Sequence, residues 1–219
     1  MPLPGAGMLI TLIDIAPADE PGFNHWFDKE HLPERVHIDG FIDGRRYRAL
    51  RGEPRYLTLC ATRSVDVLDG PAYQHAIAHP TEQTRLYISR FQRGTRSIVS
   101  VKHSAGEGHG ASLAFITIAR DPSGQLPDAH IPALLEHIVA QHDVTAAHWV
   151  HCDPERSRSF TDPDARAPMN AGYCLIEGTH PDAVDAQAQA FICALQHQAP
   201  NPIALTGLYA FMMGLDKAD

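Results

Sequence analysis

The alternation of apolar and polar positions divides the chain into short strands and amphipathic helices. Met8 to Ile15, MLITLIDI, is an aliphatic run of strand length. Phe23 to Val36 carries aromatic or aliphatic side chains at 23, 26, 27, 32 and 36, a helical spacing, with Glu30, Glu34 and Arg35 among the remainder. Pro33 falls inside this helix and predicts a kink or restart; Asp39-Gly40 ends it. Phe41 to Leu50 reads as a strand. Arg55 to Thr62 puts Tyr56, Thr58 and Cys60 on one side and Leu57, Leu59 and Ala61 on the other, so the two form a hairpin around Gly52-Glu53-Pro54. Helical segments follow over 65–79, with a start signal at Asp69-Gly70-Pro71, and over 81–89. A strand ends the series in SIVSVK. The order is β-α-β-β-α-β, that of the ferredoxin-like module.

Ser104 to Gly110 is a Gly-rich linker. It is not a phosphate loop, because no apolar strand leads through it into a helix. The pattern then restarts. Strands are predicted at 112–119, 144–152, 169–177 and 203–215, helices at 131–141 and 181–196, and a polar loop at 153–168. The order is again β-α-β-β-α-β, a repeat of about half the chain. Each module buries one sheet face under its own helices and needs a partner for the other. The expected fold is therefore α+β: a first module at 1–103, the linker at 104–110, and a second module at 111–219, packed sheet to sheet.

Composition narrows the partners. With 219 residues, 44% of them apolar, the chain can build a substantial core. A formal net charge of −8 without any basic run argues against nucleic acid and anionic membranes. The four cysteines are far apart and form no CxxC, which suits free thiols in a reducing, cytoplasmic setting. The start of the sequence has neither the basic flank of a signal peptide nor the length of a membrane span.

The densest chemistry lies at 23–48. His31 is the candidate general acid or base, since a neutral imidazole both takes and gives a proton near pH 7. It lies one helical turn beyond Phe27, so both can face one pocket. The competing reading is a histidine that merely ties the helix to a strand. Tyr47 and Arg46 are candidates to steady negative charge, with Arg45 as the alternative, because only one of the two arginines can face a given side of the strand. An ion pair with Asp28, Glu30 or Glu34 competes for either. Trp26, Phe27, Tyr56 and Tyr73 are candidate pocket walls or core residues. Fourteen histidines invite a metal. However, His75 and His79 lack an HExxH frame, Glu34-x-x-His37 lacks a second ExxH, and His148 and His151 alternate on a strand. No metal and no cofactor is expected.

The motif W-F-D-x-E-H-L-P at 26–33, then G-F-x-x-x-R-R-Y at 40–47, Tyr56-Leu57 and Pro71-x-Tyr73, resembles the dimeric α+β barrel superfamily, with the nearest likeness to its EthD-like members. The resemblance rests on the first half; the second half has no counterpart of the W-F-D-x-E-H-L-P run. It implies a tandem form in which both halves build one barrel within the chain. It also implies a function drawn from that superfamily. The leading expectation is a cofactor-independent lyase, isomerase or cyclase acting on a small aromatic or polyketide-like molecule through His31. The alternatives are a non-catalytic small-ligand or stress-associated barrel, or a cofactor-free quinol monooxygenase. One functional pocket per chain follows, and a further homodimer is possible.

Overall fold

The computed structural model describes residues 3–160 and 171–217. In chain order the elements are β1 (Gly7–Ile15), α1 (Glu20–Trp26), a π-helical turn (Phe27–His31), α2 (Leu32–Val36), β2 (Asp43–Gly52), β3 (Tyr56–Thr62), a 3₁₀ turn (Val65–Leu68), α3 (Pro71–Ala78), α4 (Glu82–Ile88), β4 (Phe91–Gly106), β5 (Ser112–Ala119), α5 (Ile131–Val139), β6 (Val144–Cys152), the short β7 (Arg158–Ser159), β8 (Ala171–Gly178), α6 (Pro181–Gln196) and β9 (Ile203–Asp216). The loop expected at 153–168 and the strand start expected at Met169 fall partly outside the described residues.

The sheet is antiparallel, in the order β1-β3-β2-β9-β5-β8-β6-β4, and β4 returns to β1 to close an eight-stranded barrel. The halves do not simply stack face to face as two sheets. They join at both edges, because β4 and β9 are long enough to serve two partners. β4 pairs with β1 over its first part and with β6 from Val99 to Gly106. β9 pairs with β5 over its first part and with β2 from Gly207 to Asp216. β4 therefore runs on through Ser104-Ala105-Gly106, where the composition suggested linker. Those backbone groups find ladder partners on β6, and that outweighs the low strand propensity of glycine.

Strand alternation then sorts side chains into three cores. The barrel interior holds Met8, Ile10, Tyr47, Leu57, Leu59, Phe115, Tyr173 and Tyr209 among others. Side chains fill it, as expected for eight strands. The outward side chains of β1, β3 and β4 meet α1–α4 in a second core. Those of β5, β6 and β8 meet α5 and α6 in a third. Tyr56, Thr58 and Cys60 face the helices and Leu57 and Leu59 the interior, so both faces of β3 are buried.

The kink expected at Pro33 is present as a π turn. Pro33 has no N–H and its ring crowds the carbonyl four residues earlier. The helix opens by one residue just ahead of it: the Leu32 N–H bonds the carbonyl of Phe27, five residues back. Gly44 lets this helix sit close to β2, since a Cβ there would lie 2.7 Å from Leu32 Cδ1 and 2.8 Å from Val36 Cγ2.

Candidate active site

His31 is the last residue of the π turn. Such single π turns inside α-helices often coincide with functional positions, because they re-aim one side chain. The imidazole is flanked by Trp26, with ring centroids 4.6 Å apart, and by Phe27 at 4.9 Å. It borders a cavity of about 200 Å³ between α2–α4 and the outer face of β1, β3 and β4. Leu9, Thr11, Ile13, Thr58 and Cys60 form the strand wall; Phe27, Leu32, Tyr73 and Phe91 form much of the rest. Ile77 and Ile88 line the cavity and are also exposed, so it opens between α3 and α4.

Electrostatics in the cavity run one way. His31 Nδ1 is shut off from solvent and has no hydrogen-bond partner among the described residues. Burial, and then the nearby charges of Arg35 and Arg46, hold its pKa well below the ordinary value of 6.5. The ring is therefore neutral at pH 7. Arg35 follows His31 by one helical turn and Arg96 comes from β4; both line the cavity, and among the described residues no carboxylate does. Their guanidinium carbons lie 5.8 and 5.7 Å from the Tyr73 ring centroid. Arg96 Nη1 donates to the Tyr73 hydroxyl at 3.2 Å. Burial raises the Tyr73 pKa, so the phenol remains a neutral donor. Burial also pushes the Cys60 thiol up to about 12, which leaves it protonated and a poor nucleophile.

Other residues singled out from the sequence lie elsewhere. Trp26 backs His31 and stacks on Tyr87 at 5.0 Å, behind the cavity wall. Tyr56 accepts from Asn24 Nδ2 at 3.0 Å and packs on Phe23. Arg46 is fully buried in the first helix layer, where it pairs with Asp28, donates to Asn24 Oδ1 at 3.0 Å and lies 4.2 Å from the Phe27 ring centroid. It shapes the helix that carries His31 and does not line the cavity.

Tyr47 and Arg45 occupy the opposite face of the sheet. Arg45 Nη1 donates to Glu177 at 2.9 and 3.1 Å and to the Tyr47 hydroxyl at 3.1 Å. It also contacts His109 Nδ1 at 2.7 Å. His148 Nε2 lies 3.7 Å from Glu177, an electrostatic rather than a hydrogen-bonding distance. Burial alone would raise the Glu177 pKa; His109, His148 and Arg45 outweigh it and hold the carboxyl well below its usual range. This network ties β2 of the first half to β6 and β8 of the second.

The sequence reading missed Arg35 and Arg96. Arg35 passed as filler on the polar face, although its four-residue offset from His31 was available as a signal. Arg96 lies 65 positions beyond His31, and only the sheet register brings it in. Among the described residues no group of three or more His, Cys, Asp or Glu side chains could hold a metal ion. His75 and His79 stack on each other 4.2 Å apart. All four cysteines are free, and no helix among the described residues is long and apolar enough to cross a membrane.

No protein-family model matches the chain, and no curated protein does. Solved structures do match. An anthrone oxidase-like protein is similar at 10% identity with a TM-score of 0.68, covering 99% of this chain and 94% of its own. A candidate monooxygenase from Fusobacterium nucleatum subsp. nucleatum matches at 11% identity and a TM-score of 0.56, covering 97% of each chain. A haem-binding protein from Thermus thermophilus matches at 11% identity and 0.54, covering 97% and 93%. At such identities the likeness is one of fold: a mixed α+β protein on a closed antiparallel barrel.

Proposed function

We propose that the first-half cavity binds a small aromatic molecule and that His31 acts there as a general base, in a cofactor-independent reaction of lyase, isomerase or cyclase type. The observation that carries this reading is the neutral, unpartnered imidazole at an aromatic cavity that opens to solvent. His31 would take a proton from a phenolic O–H or an activated C–H. The electron pair would move onto the ligand oxygen as a phenolate or enolate. The Tyr73 hydroxyl, held by Arg96, would donate to that oxygen. The imidazolium so formed is disfavoured by burial and cationic neighbours, and the new oxyanion beside it offsets that cost. On this reading Phe27 and Tyr73 line the site, Trp26 orients His31, Arg46 holds the helix, and Tyr47, Arg45 and Tyr56 support the scaffold.

The test is hydrogen exchange in D₂O over a panel of hydroxylated and enolisable aromatics, followed by NMR. The expected result is catalysed exchange that His31→Gln lowers by about 10²–10⁴-fold with the fold retained by circular dichroism. Equal exchange in the variant would remove the base.

A second reading is cofactor-free oxidation of a quinol or anthrone-like ligand, motivated by the fold likeness to an anthrone oxidase-like protein and a candidate monooxygenase; oxygen uptake with quinols tests it. The proposal extends to the architecture. The strand orders β4-β1-β3-β2 and β9-β5-β8-β6 support two ferredoxin-like halves, at 1–103 and 111–219, in a tandem EthD-like barrel. Four free thiols support a cytoplasmic setting.

A further inference from the structure

The cavity that holds His31 also holds two cations that form no ion pair with a carboxylate among the described residues. Arg35 is 7% exposed and Arg96 9% exposed. Arg35 Nη1 and Arg96 Nε are buried donors with no hydrogen-bond partner. The partners that Arg96 does have, the Tyr73 hydroxyl and the Arg156 carbonyl at 3.2 Å each, are neutral. Of the acids nearby, Asp28 is engaged by Arg46, Glu30 by the Thr81 hydroxyl at 2.5 Å, and Asp69 and Asp153 by Arg156 at 2.7 Å each; Glu34 feels the charge of Arg35 but forms no ion pair with it and does not line the cavity. A buried guanidinium left without an anion is costly, and two of them beside one cavity more so. Elsewhere the chain pairs its buried arginines, Arg45 with Glu177 and Arg46 with Asp28. Arg35 and Arg96 are different because they face the open space.

We infer that the ligand of this cavity carries a carboxylate, received by Arg35 and Arg96 around the Tyr73 ring, while its hydroxyl or activated C–H lies toward His31. Guanidinium groups match carboxylates in geometry as well as charge, and the pairing strengthens away from water. The ligand class is a small aromatic hydroxy acid. The inference rests on the general-base reading for the orientation of the ligand, but not for the presence of the anion site.

The experiment compares two probes of one shape, 2-hydroxybenzoate and the neutral 2-hydroxybenzamide, by isothermal titration on the full chain at pH 7.5. The expected result is that the carboxylate binds at least about 10-fold more tightly than the amide, the scale set by charge-assisted hydrogen bonds. Arg35→Gln and Arg96→Gln should each erase most of that preference, and Arg35→Lys should retain part of it. Arg35→Gln should leave the melting temperature of the ligand-free protein unchanged or raised, because it removes an unpaired buried charge; a purely structural arginine would lower it. Equal affinity for the two probes, no binding of the carboxylate, or a preference that survives both glutamine variants would overturn the inference. The comparison on the unaltered protein needs no variant to fold. His31→Gln separates the two readings: it should abolish exchange yet keep the carboxylate preference. Retained exchange would defeat the base and leave the anion site standing.

Discussion

The two helix layers of the barrel answer the same packing problem in different ways. On the second half, α5 and α6 fill their layer. Ile131, Leu135, Ile138, Val184, Phe191 and Leu195 are all buried against β5, β6 and β8. The tip of the Trp149 indole sits against Gly172, so close that a Cβ on that glycine would meet it at 1.9 Å. On the first half, the helices are shorter and broken by Pro33, Pro71 and Pro80, and the layer keeps an open cavity with a histidine and two arginines in its wall. The same kind of sheet face thus supports a packed core on one side and a binding cavity on the other. What separates them is the continuity of the covering helices: one 16-residue helix, α6, lies over the second half, whereas short helical pieces and a π turn lie over the first.

The largest expected contrast is in truncation. Leu135→Ala removes contacts from a filled layer and should cost near the upper end of the ~2–5 kcal/mol seen for such changes. Leu9→Ala, in a side chain that already borders a cavity, should fall near the lower end. Urea denaturation of the two variants measures this, and equal losses would break the comparison.

A smaller contrast is in pH. His31 is depressed in the folded state, so its contribution is fully present above the unfolded value near 6.5 and is lost as pH falls below it. Stability should therefore drop on going from pH 7 to 5. His31→Gln should flatten that drop by up to about 1.4 kcal/mol per pH unit. Phe191, in the apolar core of the second layer, carries no titrating group, so Phe191→Leu should leave the slope as it is. Thermal melts across this range test both.

The smallest effect is at Thr11, a cavity-lining residue whose hydroxyl has no partner among the described residues. Thr11→Val should be neutral or stabilising by less than about 1 kcal/mol, since it removes an unsatisfied donor at nearly constant shape. A clear loss by calorimetry would mean that the hydroxyl is satisfied within the cavity.

Local chemistry was legible where the period was clean. RYLTLCAT alternates in the sequence, and its side chains alternate in the barrel. The helix at 181–196 has the bounds that its pattern suggested. The proximity of Phe27 and His31 followed from their helical offset. What the pattern could not give was anything decided by partners distant in sequence. The continuation of β4 through Gly106 depends on β6. The separation of Tyr47 and Arg45 from His31 depends on which face of β2 turns inward. Arg96 reaches the cavity only through the register of β4 against β1. A π turn leaves no distinctive mark beyond the proline that provokes it.

The pairing of β2 with β9 joins residue 43 to residue 216. During synthesis β2 must therefore wait for β9 before its open edge is covered. Until then the emerging first half presents an unpaired strand and half of an apolar barrel interior, both prone to association with other chains.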